Sequence, residues 1–288
     1  ILELFFNSTR MPVSRYPNKH GGMTIKRVVV NGGGQEKPGN WGVYYNTGTP
    51  EQRRALESGK GPRPGVFEYR PEHAAAHARC AKVLDRGVWL KGYWRVVWQN
   101  ETVRVGAMDT EKQTVTLAVP VSHGIGSKYH RPDGSGAEIY WVMNLLEAVD
   151  QPGEWAVDFQ DQKLFFYPPG PLEDADILIS DMESPIVEVR DAHHIEFRNI
   201  TVEGTLGDGV RVVDCSENAL RGCTVRNVAK YGVVIEGGER NVVASCDLYA
   251  LGAGGVGLSG GDAGSQPRIP AGHRVESCDI HHFGEIER

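Results

Sequence analysis

The stretch Ala219-Leu220-Arg221-Gly222-Cys223-Thr224-Val225 is followed 23 residues later by Val242-Val243-Ala244-Ser245-Cys246-Asp247-Leu248. Leu220, Cys223 and Val225 in the first become Val243, Cys246 and Leu248 in the second. One step earlier the same triplet reads Phe197, Ile200, Val202, and it returns as Val275, Cys278, Ile280 after the step plus nine inserted residues. A second apolar pair keeps the beat as Val187/Val189, Val210/Val212, Val233/Ile235 and Val256/Leu258. A further step back from Ile200 and Val202 reaches Ile177 and Ile179. A fixed period of this length is the mark of a solenoid.

Each apolar pair brackets a residue of another kind, as a strand with one buried face does. Glu188 sits between Val187 and Val189, and Arg211 between Val210 and Val212. Between Phe197 and Ile200 stand two residues where one would keep the alternation, so the chain must bend there. The bends fall at Arg198-Asn199, Arg221-Gly222, Ala244-Ser245 and Glu276-Ser277. Asn and Gly accept left-handed backbone angles, and Ser is a common turn former. No segment of the repeat has the length or 3.6-residue period of an amphipathic helix, which excludes leucine-rich, ankyrin and TPR arrays. The fold class predicted is all-β: a parallel β-helix with about three strands per turn, its coils stacked at roughly 4.8 Å.

Stacking places Ile200, Cys223, Cys246 and Cys278 in one column facing the interior. Buried Cys behaves as a small hydrophobe, so an interior thiol ladder is expected. The spacing also permits a disulfide between neighbouring coils. It does not suit a metal, because it is unlike C-x-x-C and no His shares the column. Cys80 and Cys215 lie outside this ladder, and no redox compartment follows from the five cysteines.

The 288 residues suffice for one large or two modest domains, and 36 glycines suit a turn-rich β protein. A net charge of −6 gives no basic footprint for nucleic acid. No run approaches the ~18 apolar residues of a membrane span. The expected organisation is a hairpin opening the scaffold at 1–27, a β-rich insertion at 28–135 and the β-helix at 136–288. The hairpin runs from Leu4-Phe5-Phe6 through Asn7-Ser8-Thr9 to Met11–Tyr16. Gly32-Gly33-Gly34 opens a loop past Trp41 and Tyr45. One short helix is predicted over 72–85, with strands at Val88–Trp98, Thr102–Met108 and Thr114–Val119. Beyond the insertion, strands are expected within Tyr140–Ala148 and at Trp155–Phe159 and Leu164–Tyr167. Neither chain end reads as a solenoid cap, so the chain is expected to be a piece of a longer polypeptide. Trp89, Tyr93, Trp94 and Trp98 are read chiefly as core of the insertion, with sugar stacking as the other use of exposed rings.

Several stretches resemble bacterial right-handed parallel β-helix proteins of the glycoside hydrolase 141 type, in the pectin-lyase-like superfamily. They are Leu4-Phe5-Phe6-Asn7-Ser8-Thr9-Arg10-Met11-Pro12, Arg15-Tyr16-Pro17-Asn18, and most specifically Asn144-Leu145-Leu146-Glu147-Ala148-Val149-Asp150-Gln151-Pro152-Gly153-Glu154-Trp155. Lys163-Leu164-Phe165-Phe166-Tyr167-Pro168-Pro169, Gly260-Gly261-Asp262 and Ile280-His281-His282-Phe283-Gly284 are similar too. The likeness implies a β-helix interrupted near its start by a β-rich insertion. It also implies a secreted or periplasmic enzyme acting on plant or algal polysaccharide, with fucosides and xylans among the family's substrates. On that resemblance the catalytic acids are expected beyond Arg288, and residues 1–288 alone are expected to show no turnover.

Between the buried positions, outward residues form stripes on the third strand of each coil. One reads Thr201, Thr224, Asp247, Asp279; the next reads Glu203, Arg226, Tyr249, His281. Asp247 and Asp279 on adjoining coils would stand about 4.8 Å apart at the backbone. Retaining glycosidases hold their carboxyls roughly 5–5.5 Å apart, so the pair is a candidate for catalysis or for lining a glycan groove. The ordinary reading is a solvated face. Tyr249 and His281 are candidate groove residues beside them. Asp262, at the mouth of the nine-residue insertion, is either groove lining or a turn carboxylate capping local amides. His281 and His282 are adjacent and should point opposite ways along a strand, which argues against a two-His metal clamp. Gly252-Ala253-Gly254-Gly255-Val256-Gly257 spells G-x-G-x-x-G, but no helix can start at Leu258-Ser259-Gly260-Gly261, and Gly255 falls on the beat of Gly209 and Gly232.

A glycoside hydrolase scaffold binding an extended polysaccharide or oligosaccharide along its outer face is therefore the leading expectation, with no cofactor and no resident metal. The alternatives are a uronate lyase on the same scaffold, which would call for Ca²⁺ or a Lys/Arg cluster, and a non-catalytic carbohydrate-binding or adhesin solenoid. For a lyase, the outward stripes supply only Arg211 and Arg226. Fold alone does not choose among these three.

Overall fold

The computed structural model describes residues 2–18, 21–32, 64–121, 124–126 and 138–286. The expected loop past Trp41 and Tyr45 lies outside the described residues. The chain forms two compact units, one of Ile1–Met11 with Pro171–Arg288 and one of Pro12–Gly170.

The first unit carries the solenoid. Three parallel sheets of four strands each run along it. The first contains Val187–Arg190, Val210–Val213, Val233–Glu236 and Val256–Ser259. The second contains Glu196–Arg198, Ala219–Arg221, Val242–Ala244 and Arg274–Glu276. The third contains Thr201–Val202, Thr224–Val228, Asp247–Leu251 and Asp279–Ile280. The registers are those of the sequence beat: Val210 faces Val233, Leu220 faces Val243, and Asp247 faces Asp279.

Four columns of left-handed backbone turn the chain at equivalent places in successive coils. They are Asp191, Asp214, Gly237 and Gly260; His194, Glu217, Arg240 and Gly272; Asn199, Gly222, Ser245 and Ser277; and Gly204, Asn227, Ala250 and His282. The third is the predicted bend. The last lies within or just after the strands of the third sheet, and it lets consecutive residues face the same side. At Gly209, Gly232 and Gly255 the coils approach so closely that a Cβ on Gly232 would stand 2.9 Å from the Gly255 carbonyl. This packing explains the Gly-rich run without a nucleotide.

The solenoid core is aliphatic and thiol. Cys215, Cys223 and Cys246 are buried within it and Cys278 packs against it. All five cysteines are free, so the ladder forms without disulfides. The solenoid thiols donate weakly to carbonyls, Cys246 to Ala244 at 3.2 Å and Cys223 to Arg221 at 3.4 Å. Burial pushes the Cys246 thiol up to about 11. Ile200, expected in the same column, is 37 % exposed, because its coil is the terminal rung and pairs on one side only.

The step back to Ile177 and Ile179 also fails as a buried pair. Both are exposed, and Ile177–Ser180 pairs antiparallel with Glu3–Phe6 instead of stacking in parallel on the next coil. Glu3–Phe6 in turn forms a hairpin with Thr9–Met11, burying Leu4, Phe5, Phe6 and Met11.

The second unit has no repeat. Its strands Ile139–Met143, Met23–Val30, Val66–Tyr69, Thr114–Leu117, Glu101–Asp109 and Trp89–Gly92 pair antiparallel in that order, and Trp89–Gly92 pairs again with Ile139–Met143. The six strands thus close on themselves, which removes open edges. Met23, Phe67, Tyr69, Leu90, Trp94, Val115 and Tyr140 belong to its core, with helix Ala74–Ala81 supplying Cys80. The unit's boundaries, 12 and 170, differ from the 28 and 135 read from sequence, because closure recruits strands on both flanks of the expected insertion. Of the four aromatics read there, Trp94 is core, Trp89 and Tyr93 are half-buried, and Trp98 is 57 % exposed.

Candidate functional site: the outer face of the third sheet

Strand alternation on the third sheet turns Val225 and Leu248 inward and sends Thr224, Asp247 and Asp279 out. Asp247 and Asp279 are exposed register partners on adjoining coils, as predicted. The neighbouring stripe is a connected column. Glu203 accepts from Arg226 at 2.8 Å, the Arg226 guanidinium donates to the Tyr249 hydroxyl at 3.1 Å, and the Tyr249 ring stacks on His281 at 5.2 Å with 2° between planes. Its bond to Glu203, and secondarily the one to Tyr249, holds the Arg226 guanidinium firmly protonated.

The N-terminal hairpin touches the same column. Arg226 donates to Ser8 Oγ at 3.2 Å, and Asn227 Nδ2 donates to the Ser8 carbonyl at 2.8 Å. Asn227 occupies the left-handed column, so it and Arg226 face the same way and both reach Glu203. Beside this, Arg10 bridges two carboxylates. Its Nε donates to Glu3 at 2.8 Å, its Nη1 pairs closely with Glu285, and its Nη2 donates to the Val228 carbonyl at 3.1 Å. Burial pushes the Glu3 carboxyl above its usual range although Arg10 pulls it down. Sequence reasoning missed this triad: no periodicity relates residue 3 or 10 to 285.

Asp262 takes the turn-capping alternative, and the expected orientation of the two histidines changes. Asp262 is exposed, and its Oδ1 accepts from the backbone N–H of Gly264 at 2.9 Å and Ser265 at 3.1 Å. That is the turn-capping role, fixed by an Asx turn in the inserted loop. His281 and His282 do not point opposite ways. Their ring centroids are 4.8 Å apart, and the strand ends at Ile280, before them.

The outward arginines are more numerous than Arg211 and Arg226, and they are committed. Arg190 pairs with Glu188, Arg198 and Arg221 with Glu196, Arg211 with Glu236 and Asp208, and Arg240 with Glu217 and Glu239. Among the described residues no three His, Cys, Asp or Glu side chains group to hold a metal, and no helix is long and apolar enough to cross a membrane.

The second unit holds a cavity of about 200 Å³ lined by Val83, Leu145, Leu146, Phe165, Arg86 and Asp158. Asp158 is engaged there by Arg86 and by the N–H groups of Gln160 and Asp161.

Three parallel sheets with inward-facing columns define a parallel β-helix. A family model described as a right handed beta helix region matches residues 176–268, which fixes the hand. The whole chain is similar to a solved structure described as "Glycoside hydrolase", with a TM-score of 0.65 and 13% identity over 99% of this chain. The chain spans 54% of that structure's length. No curated protein matches.

Proposed function

We propose that this chain is the scaffold part of a secreted or periplasmic polysaccharide-acting glycoside hydrolase of the family 141 type. It binds an extended glycan along the outer face of the third sheet. The observation that carries this reading is the exposed Asp247–Asp279 pair in one register column, beside the Arg226–Tyr249–His281 stack. Carboxylates accept hydrogen bonds from sugar hydroxyls, and aromatic edges and faces contact the apolar side of a pyranose. The solenoid axis supplies a row of equivalent positions for successive sugars. The similarity of the fold to a glycoside hydrolase supports the substrate class. The uronate lyase reading is weaker, because the outward arginines named above already neutralise protein carboxylates.

Affinity electrophoresis in gels containing xylan, fucan, pectin or arabinan tests the reading. Retardation is expected in at least one gel. Asp247→Asn with Asp279→Asn, and separately Tyr249→Ala, should each weaken it at least ten-fold. Equal migration of the wild type in all gels, or retardation indifferent to both variants, would discard this face as the glycan site.

A further inference from the structure

His281 and His282 form the closest pair of imidazole nitrogens described, with Nδ1 facing Nδ1 at 2.6 Å. Three features hold them there. His282 sits at φ 49° in the left-handed column of Gly204, Asn227 and Ala250, so the alternation that would separate the two rings is broken. The His281 ring lies flat on Tyr249, whose hydroxyl is held by Arg226. The backbone is fixed as well: His281 N–H donates to the Leu248 carbonyl at 3.0 Å, and Leu251 N–H donates to the His282 carbonyl at 2.9 Å.

We propose that His281 and His282 chelate a transition-metal dication through their Nδ1 atoms, Cu²⁺ before the others. Imidazole nitrogens bind such metals at about 2.0 Å, so two of them in cis positions of a square-planar site stand about 2.8 Å apart, against about 3.3 Å in a tetrahedron. The observed 2.6 Å is a few tenths of an ångström from the first and much further from the second. Two nitrogen ligands with water or ligand oxygens in the remaining positions is a set that Cu²⁺ accepts and that tetrahedral Zn²⁺ fills less well. No third His, Cys, Asp or Glu joins the pair among the described residues. Both Nδ1 atoms must be unprotonated to bind, and the proton on each ring then sits on Nε2.

The chain contains a contrast. His193 and His194 are also adjacent, but their ring centroids are 6.5 Å apart and His194 Nδ1 lies 3.1 Å from a Glu217 carboxylate oxygen. They are not placed to chelate. The site does not depend on glycan binding at the same face.

The test is calorimetric titration with Cu²⁺ near neutral pH, with electron paramagnetic resonance of the one-equivalent complex. One equivalent should bind with hyperfine structure from imidazole nitrogens. His281→Ala and His282→Ala should each cost at least ten-fold in affinity and remove one nitrogen from the spectrum. The double variant His193→Ala/His194→Ala should leave both readouts unchanged, and far-UV circular dichroism should show every variant folded. Binding that is indifferent to His281 and His282 overturns the proposal. So does the absence of Cu²⁺ binding, which would leave the pair a hydrogen bond between two imidazoles.

Discussion

The two units solve the same problem, satisfying the backbone of short strands, in opposite ways. The solenoid stacks parallel strands coil on coil, and each coil's N–H and C=O groups are met by the next. The second unit closes six antiparallel strands into a ring, so its pairing ends where it began. In the solenoid, what matters is a column: a position is tolerated or forbidden according to what lies one coil away. In the ring, what matters is a single interior, and one buried polar group there acts on the whole unit. The molecule offers separate probes for the two, since all six tryptophans fall within 12–170 while Cys215, Cys223, Cys246 and Cys278 fall within the solenoid; the thiol of the ring, Cys80, is removed by Cys80→Ala in the background of every thiol measurement.

The largest effect expected is at Gly238. Its φ is +63°, and a Cβ there would stand 1.8 Å from the Cys215 carbonyl oxygen, one coil away. Backbone cannot yield as a side-chain tip can. Left-handed strain and overpacking together predict that Gly238→Ala costs the solenoid roughly 3–5 kcal/mol. Thiol exposure in urea should shift to lower denaturant while the tryptophan transition stays in place. A matching shift in tryptophan fluorescence would show that the units unfold as one and would break the contrast.

The ring should answer to pH instead. His77 is fully buried, stacked on Tyr69 at 4.0 Å. The short Nδ1 contact to the His73 carbonyl, 2.9 Å, makes that nitrogen the donor, so Nε2 accepts from the Tyr140 hydroxyl at 3.0 Å. Burial lowers its pKa from 6.5 to about 4. Above pH 6.5 the imidazole is neutral in both folded and unfolded chains, and stability is complete. As the pH falls from 6.5 towards 4 the unfolded chain takes up the proton first, so stability declines, then levels off below 4. At 1.36 kcal/mol per unit this amounts to about 3 kcal/mol. The tryptophan transition should carry that pH dependence and lose it in His77→Gln, and the thiol transition should lack it. The same slope in His77→Gln would assign the effect elsewhere.

The contrast also explains what could be read from sequence. A repeat announces itself because each column samples the same environment several times. Hence the registers of Val210, Leu220 and Val225, the bends at Asn199 and Gly222, and the outward line of Asp247, Tyr249 and His281 were legible. The other left-handed columns were not: Glu217, Arg240 and His194 carry no turn signal, and they adopt the conformation because the coil geometry imposes it. In the ring, strands such as Thr114–Leu117 and Glu101–Asp109 showed their period-two pattern. The pairing that closes it left none, since antiparallel partners so far apart in sequence share no spacing rule: Trp89 faces Met143. At the site, the Asp247–Asp279 register followed from the beat, while the Glu3–Arg10–Glu285 triad depends on a contact between distant ends of the chain.

A middle-sized effect separates the units again. Asn218 and Asn241 form a buried amide column within one corner of the coils. Asn241 Oδ1 accepts from the Asn218 N–H at 3.1 Å, and its Nδ2 donates to the Cys215 carbonyl at 2.6 Å. The next rung replaces the amide with His273, whose Nδ1 accepts from the Asn241 N–H at 3.2 Å. Asn241→Ala strands a buried N–H and a buried carbonyl, and about 2 kcal/mol should be lost from the thiol transition alone. Asn241→Asp should recover none of it, because the oxygen that replaces Nδ2 faces the Cys215 carbonyl, acceptor against acceptor, and the carboxylate is buried without a cation. If Asn241→Ala is silent, the columns are aliphatic in their energetics and the amides are passengers.

The smallest effect has the opposite sign. Ala250 holds φ +53° in the left-handed column of the third sheet, between Asn227 and His282. An L-residue other than Asn or Gly pays roughly 1–2 kcal/mol for that conformation, and glycine pays nothing there but is freer when unfolded. The difference predicts that Ala250→Gly raises solenoid stability by about 0.5 kcal/mol. That gain is diagnostic, because glycine in an ordinary strand interior lowers stability. A lower midpoint for Ala250→Gly in the thiol transition would mean that Ala250 contributes more by packing than it loses by strain. The backbone column would then be set by contacts between side chains instead of by the coil itself.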